Sequence, residues 1–167
     1  MCNNLVLIGF MGSGKSTIGK KLSTLLDYKF IDSDCFIEKK EGRKISEIFQ
    51  TNGEKYFRNL EKEFIQSHRQ NSYSVIATGG GMPIYNDITQ MGYIIYLKAD
   101  FNIIQKRIED SHTRPLFADL NKAYALFLQR QKIYEKTCNL IINANNPLQK
   151  ILQDIMLQIK TNQNNKS

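Results

Sequence analysis

Cysteine pairs are missing from this sequence. Its three cysteines, Cys2, Cys35 and Cys138, are odd in number, lie far apart and form no C-x-x-C pair. This pattern provides neither a disulfide framework nor a zinc site. We therefore expect a protein of a reducing compartment, the cytoplasm.

Long apolar runs are also missing. No run reaches the roughly 18 residues that a helix needs to cross a bilayer. The apolar stretch from Leu5 to Ile8 is too short for the core of a signal sequence. We expect neither a membrane partner nor a targeting segment.

Positive charge is in excess, but it does not form runs. The formal net charge of +7 would attract phosphate groups. Lysines such as Lys20, Lys21, Lys39 and Lys40 nevertheless lie among acidic residues, without the aromatic stripe of single-strand binders. The pattern disfavours nucleic acid as a partner and fits an enzyme that binds small anions.

The length and composition fit one folded domain. The chain has 167 residues, of which 41% are hydrophobic and 23% charged, with no internal repeat. We assign residues 1–160 to a single domain and residues 161–167 to a polar tail. The Asn-, Gln- and Lys-rich stretch from Lys160 to Ser167 is expected to fray.

Apolar periodicity alternates between strand and helix along the chain. Buried strands are predicted at Leu5–Ile8, Tyr28–Ile31, Val75–Ala77, Tyr93–Leu97 and Leu140–Ile142. Helical spacing recurs at Ile18–Leu26, Phe57–Phe64, Phe101–Ile108 and Leu148–Ile155. This alternation predicts an α/β domain with a mostly parallel sheet, helices on both faces and ligands at the carboxyl ends of strands. We also predict a turn over Gln50 to Gly53, with Ser46 as the N-cap of the helix before it.

The segment Gly9 to Ser16, GFMGSGKS, satisfies the pattern G-x-x-x-x-G-K-[ST] between a predicted strand and a predicted helix. Glycines in such a loop let backbone N–H groups point at phosphate oxygens, next to the positive end of the helix. Lys15 would reach the β- and γ-phosphates, and Ser16 would bind Mg²⁺. Because no N-K-x-D sequence is present to read guanine, ATP is favoured as the nucleotide.

Acidic residues follow the second predicted strand. Asp32 and Asp34 are placed so that one could serve a magnesium ion and the other an attacking hydroxyl. Taken alone, they fit solvated turn or N-cap acids better, because Asp is common at caps. The sequence around them leaves both readings open.

Three further segments suggest a site for an anionic ligand. Arg58 and Glu61 lie three positions apart on one predicted helix, as a surface ion pair also would. Gly79, Gly80 and Gly81 follow a strand and would allow a ligand close to the backbone, although a loose loop explains them too. Arg114 in a polar stretch could meet a transferring phosphate, while Arg130 needs an anionic partner, from a ligand or from the protein itself.

Taken in order, G-F-M-G-S-G-K-S-T, D-S-D, F-R-x-x-E, T-G-G-G, R-P-L and R-x-x-x-Y resemble the shikimate kinase family from Leu5 to about Pro147. The resemblance implies a three-layer P-loop fold of nucleoside-monophosphate-kinase type with a five-stranded parallel sheet in the order 2-3-1-4-5. It implies a substrate-binding region at about 34–61 and a lid at about 110–120. The expected reaction transfers the ATP γ-phosphate to the 3-hydroxyl of shikimate, with Mg²⁺ as cofactor, in aromatic amino-acid biosynthesis, and the expected protein is a monomer.

The resemblance also implies a role for individual residues. Expected at the nucleotide are Gly12, Ser13, Gly14, Lys15, Ser16, Thr17, Arg107 and Arg114, with Ser16 and Asp32 at magnesium. Expected at shikimate are Asp34, Ile45, Phe49, Phe57, Arg58, Glu61, Gly79, Gly80, Gly81 and Arg130. Lys15, Asp34 and Arg114 are the expected catalytic residues, Asp34 as the base. Asn145-Asn146-Pro147 lacks an arginine that some members place against adenine.

Two other functions compete with this one. A P-loop kinase for gluconate or for a nucleoside monophosphate would share the chemistry and differ in its acceptor loops. A regulatory module that binds nucleotide without turnover would keep the loop alone. The presence of Asp32, Asp34 and Arg114 argues against a mere binder, which needs no groups for the transition state.

Overall fold

The structure is a computed structural model that describes residues 4–109 and 119–164. Its strands are β1 Leu5–Ile8, β2 Lys29–Asp32, β3 Ser74–Ala77, β4 Tyr93–Lys98 and β5 Leu140–Asn143. Its α-helices are α1 Lys15–Leu26, α2 Ser33–Glu41, α3 Ile45–His68, α4 Met82–Tyr85, α5 Phe101–Glu109, α6 Leu120–Thr137 and α7 Leu148–Asn164. A short 3₁₀ turn, Thr89–Met91, precedes β4.

The five strands form one parallel sheet in the order β2-β3-β1-β4-β5. Strand β1 is the central strand. Both β1 and β3 are buried throughout, because helices cover both faces of the sheet. This confirms the predicted fold class and strand order. In such a sheet, all the carboxyl ends lie at one edge, so the loops after β1, β2 and β3 meet there.

A second, smaller apolar cluster lies beside the main core. Ile37 of α2 packs there with Ile48, Phe57 and Leu60 of α3. The cluster joins the two helices that follow β2, so α2 and α3 form one unit against the edge of the sheet.

Helix α3 is bent at Gly53, whose φ of 81° and ψ of 173° are not helical. The predicted turn ending at Gly53 is therefore a kink between two helical stretches. The predicted N-cap at Ser46 is wrong, because the helix begins at Ile45 with Lys44 before it. The backbone N–H groups of these two residues instead donate to the carboxylates of Glu38 and Glu47.

The C-terminal helix is longer than the sequence predicts. Helix α7 continues to Asn164 and so includes residues that we expected to fray from Lys160 onward. Over residues 4–109 and 119–164, no helix combines the length and the apolar character that crossing a membrane would require.

Candidate active site

The loop after β1 curls at the carboxyl edge of the sheet. Gly12 and Gly14 have φ angles of 77° and 96°, a left-handed backbone that favours glycine and lets the chain turn into α1. Lys15 Nζ lies over the loop and donates to the carbonyl oxygens of Gly9 at 2.8 Å and Phe10 at 3.0 Å. The loop and the N-terminus of α1 line a cavity, and the backbone N–H groups of a helix N-terminus suit phosphate.

Asp32 caps α2 and also contacts Ser16, the other residue expected at magnesium. Its Oδ1 caps α2 by accepting from the backbone N–H groups of Asp34 and Cys35, at 3.0 and 3.2 Å. Its Oδ2 accepts from the Ser16 hydroxyl at 2.6 Å. A hydroxyl and a carboxylate in contact are hard oxygen ligands of the kind Mg²⁺ takes together with phosphate and water.

Asp34 lies in the first turn of α2, close to the glycine triplet. A Cβ on Gly79 would lie 2.6 Å from Asp34 Oδ1, so a side chain at Gly79 would displace the carboxylate. The Gly79 N–H donates to the buried Ser33 Oγ at 2.9 Å and ties the end of β3 to the start of α2. The triplet is therefore a fixed wall beside Asp34.

Arg58 is held on two edges and one face. Its Nε and Nη2 donate to Glu54 Oε1 at 3.3 and 3.1 Å, and its Nη1 donates to Glu61 Oε2 at 2.9 Å. The Tyr85 ring covers one face, with its centroid 4.0 Å from Arg58 Cζ. A guanidinium carries five N–H groups, and three donate to partners in the described part of the chain, which leaves one on each terminal nitrogen without such a partner.

Glu61 is the buried partner of Arg58. Its side chain is 1% exposed, and its Oε2 accepts from both Arg58 and Asn86. Burial raises the pKa of Glu61 above its usual range and the nearby Asp34 adds to this, while Arg58 and Asn86 oppose it. The pair is thus an internal one, and not the surface ion pair that its spacing also allowed.

Arg130 lies on the buried face of α6 with Ala123, Phe127 and Tyr134. Within the described ranges its guanidinium forms no ion pair, and its buried Nε has no hydrogen-bond partner. Burial raises the pKa of Tyr134 to about 12, so this phenol stays protonated and donates to Gly80 O at 2.7 Å. A buried arginine without a carboxylate partner is expected to meet an anion from outside the protein.

One cavity of about 600 Å³ joins these groups. Around it, the structure brings together nearly all of the predicted residues that it describes. They are Gly12, Ser13, Gly14, Lys15, Ser16, Thr17, Asp32, Asp34, Ile45, Phe57, Arg58, Glu61, Gly79, Gly80, Gly81, Arg107 and Arg130.

One predicted residue lies away from the cavity, and another is not among the residues that the structure describes. Phe49 is not among the described lining residues and instead packs against Phe57, with ring centroids 4.9 Å apart. Arg114, with most of the predicted lid, lies outside the described residues. Arg107, expected near adenine, donates to Ala144 O at 2.8 Å and lies near the carbonyls of Gly12 and Ser13.

Sequence reasoning missed several residues of the site. Ser33, Glu54, Tyr85 and Asn86 hold the predicted residues in place, and Asn146, Leu148 and Ile151 line the cavity beside the phosphate loop. The amphipathic pattern of α7 indicated Leu148 and Ile151 as core residues, but nothing in the pattern indicated a ligand. Across the described ranges, no cluster of three or more His, Cys, Asp or Glu side chains forms a metal site, so an ion here would depend on phosphate oxygens for its remaining ligands.

A phosphate loop at the switch point of a parallel 2-3-1-4-5 sheet, facing a pocket with two arginines, defines a small-molecule kinase of the P-loop class. A solved gluconokinase from Sinorhizobium meliloti 1021 has the same fold, with a TM-score of 0.63 over 99% of this chain and 97% of that chain at 16% identity. The shikimate kinase family model matches residues 11–160. The chain belongs to the shikimate kinase family and is an ATP-dependent kinase.

Individual shikimate kinases resemble this chain in sequence and in structure. A shikimate kinase from Helicobacter hepaticus is 46% identical over 144 residues, which cover 84% of this chain and 86% of the relative. A solved shikimate kinase from Acinetobacter baumannii, in complex with shikimate, superposes with a TM-score of 0.86 at 31% identity. The superposition covers 97% of this chain and 95% of that structure.

Proposed function

We propose that this protein transfers the γ-phosphate of ATP to the 3-hydroxyl of shikimate and releases shikimate 3-phosphate and ADP. One observation carries the proposal: Arg58 and Arg130 line the same cavity as Asp34 and the phosphate loop. A carboxylate held by the two arginines would leave a hydroxyl of the same molecule to face the nucleotide. This requirement selects an acid that also carries alcohol groups.

The carboxylate would bind where N–H groups are left over. Arg58 keeps one N–H on each terminal nitrogen, which matches the two oxygens of a carboxylate. Arg130 offers a second guanidinium with a buried Nε that has no partner in the described part of the chain. Ile45 and Phe57 supply an apolar wall for the ring.

The nucleotide would bind along the phosphate loop. Backbone N–H groups of Gly12 to Thr17 and the Lys15 ammonium would contact the phosphates, with Arg107 near the base. Ser16 would bind Mg²⁺ directly and Asp32 would bind it through water. The Ser16 hydroxyl already donates a hydrogen bond to Asp32 Oδ2, so the two oxygens lie close together. When bound there, Mg²⁺ would neutralise the negative charge that develops on the phosphate oxygens during transfer.

The chemical step needs a base and stabilising cations. Asp34 would accept the proton of the acceptor hydroxyl. The hydroxyl oxygen would bond to the γ-phosphorus as the bond between that phosphorus and the ADP oxygen breaks. Lys15 would stabilise the charge on the transferring group, and Arg114 would join it there. Phosphoryl transfer depends mainly on the positions of the reacting groups and on charge stabilisation. The glycine triplet beside Asp34 would help to keep its carboxylate in position.

A coupled ADP-release assay tests the proposal. Purified protein with ATP and Mg²⁺ is expected to release ADP in proportion to added shikimate and to release little with gluconate or deoxyadenosine. Omitting Mg²⁺ and adding a chelator is expected to abolish turnover. A folded protein that releases no shikimate-dependent ADP would overturn the assignment, and turnover of another acceptor would identify the true one.

A further inference from the structure

Asn86, at the C-terminal end of α4, lies behind the cavity wall, not in it. Its side-chain Nδ2 donates to Glu61 Oε2 at 3.0 Å and to Met82 O at 3.2 Å. It therefore links α4 to the carboxylate that holds Arg58. None of the motifs of this chain indicates it.

The orientation of the Asn86 amide is set by its neighbours. Nδ2 faces two acceptors, the Glu61 carboxylate and the Met82 carbonyl. A flipped amide would direct Oδ1 at both and lose both hydrogen bonds, so the donor must be the atom that faces Glu61. The backbone N–H of Asn86 also donates to Met82 O at 3.0 Å, which fixes the residue on the last turn of α4.

Glu61 depends on this donor because it is buried. Its Oε2 receives hydrogen bonds from Arg58 and Asn86, while its buried Oε1 has no partner among the described residues. The charged groups that face it are Arg58 of its own helix and Asp34 of α2. A buried carboxylate with so few donors loses much of its stabilisation when one is removed.

We propose that Asn86 is a positioning residue for the acceptor's carboxylate: it holds Glu61, which in turn fixes the Arg58 guanidinium. The proposal rests on the proposed function, in which Arg58 grips that carboxylate. Asn86 touches neither substrate in this arrangement and acts through two intermediaries. Loss of its amide would let Glu61 take up a proton at higher pH, because a donor that favours the ionised form is gone.

A double-mutant cycle tests the proposal. Asn86→Ala is expected to raise the KM for shikimate about tenfold, as removal of an outer partner of a ligand-binding group commonly does, with kcat and the KM for ATP within about twofold. In a Glu61→Ala background, Asn86→Ala is expected to raise the KM for shikimate by less than about a further twofold, because the carboxylate through which Asn86 acts is already absent. Asn139→Ala, which removes a side-chain hydrogen bond to the Ile94 N–H at β4, is the control and is expected to leave both KM values unchanged.

The isosteric variant Asn86→Asp provides a readout that a merely structural role would not give. At neutral pH it places a second carboxylate against Glu61, and its kcat/KM for shikimate is expected to fall below that of the parent. As pH falls, one carboxyl of the pair takes a proton and donates to the other. The kcat/KM of the variant, divided by that of the parent, is therefore expected to rise. This variant also carries the test if Asn86→Ala does not fold.

Each outcome has a separate meaning. If the parent enzyme does not use shikimate, the proposed function fails before Asn86 is at issue. If the parent turns over shikimate but Asn86→Ala leaves its KM within about twofold, the role of Asn86 is wrong. Additive effects of Asn86→Ala and Glu61→Ala, or a pH-independent ratio for Asn86→Asp, would likewise overturn it.

Discussion

Gly79 and Gly81 leave room for two different charged groups at the end of β3. A Cβ on Gly79 would lie 2.6 Å from Asp34 Oδ1, and a Cβ on Gly81 would lie 2.8 Å from Arg58 Nη1. Both distances are shorter than van der Waals contact allows, so one added methyl group displaces a different side chain at each position. The two glycines therefore provide matched tests of Asp34 and Arg58.

Gly79→Ala is expected to lower kcat about 10- to 100-fold, because a shift of about 1 Å in a reacting group can cost this much. The Asp34 carboxylate can move without unfolding the site, so the melting temperature should change little. Steady-state ADP release and thermal denaturation measure the two effects. An unchanged kcat in this variant would show that Asp34 is not the base.

Gly81→Ala is expected to act on binding instead. Displacing Arg58 Nη1, which donates to Glu61 Oε2, misplaces the guanidinium, so the KM for shikimate should rise about tenfold while kcat at saturation changes less. Titration of both substrates in the same assay separates this result from that of Gly79→Ala. If the two variants had the same kinetic signature, the division of labour between Asp34 and Arg58 would be wrong.

At this scale, the sequence revealed residues that belong to ordered motifs and missed those that support them. Arg58, Glu61 and the glycines occur in motifs with fixed spacing. Asn86 contacts Glu61 across 25 positions of chain, and neither its type nor its neighbours in sequence distinguish it from the other asparagines of the chain. A contact made only by the packing of α3 against α4 has no signature in one sequence.

The kink in α3 is an element-scale feature that positions Phe57 and Arg58. The φ and ψ angles of Gly53, 81° and 173°, belong to a region that essentially only glycine occupies. Gly42, at the end of α2, has φ 70° and ψ 17°, the left-handed helical region that asparagine tolerates. A Cβ at either position would meet nothing within 4 Å, so only the backbone conformation separates them.

Gly53→Asn is expected to destabilise the protein by about 1–3 kcal/mol, the usual cost of a side chain in such a backbone region. Gly42→Asn should cost less than about 1 kcal/mol, because asparagine enters the left-handed region readily. Urea denaturation of the two variants gives the comparison directly. Equal losses of stability would indicate that the conformation of Gly53 is not what holds the kink.

Element boundaries followed from local patterns where one pattern dominated. Each predicted strand matches an observed strand to within one residue at either end, since a buried parallel strand is a short apolar run with polar ends. Ser46 failed as a cap because the Ile45 N–H donates to a carboxylate oxygen of Glu38, on another helix, so the helix starts at Ile45, before Ser46. Helix α7 extends beyond the last residue of its apolar pattern. Once a helix has formed, each added residue makes a further backbone hydrogen bond, so the end of the helix can continue without apolar side chains.

At the scale of the molecule, strand pairing could not be read from periodicity. Strand β1 pairs with β3 and β4, which are distant in sequence, and periodicity says only that each strand is buried. The order 2-3-1-4-5 came from the resemblance of the motifs to a family. The order matters for function because it places the loops after β1, β2 and β3 around one cavity.

Ligand-linked stability tests whether this cavity works as one site. Shikimate at 100 times its Kd, with nucleotide present, should stabilise the folded protein by about 2.7 kcal/mol and raise its melting temperature by about 5–10 °C. Arg130→Met keeps an apolar stem on α6 but removes the guanidinium, so the shift from shikimate should largely disappear while that from nucleotide alone persists. If Arg130→Met kept the full shikimate shift, the acid would be bound without its second arginine, and the two-arginine grip would be wrong.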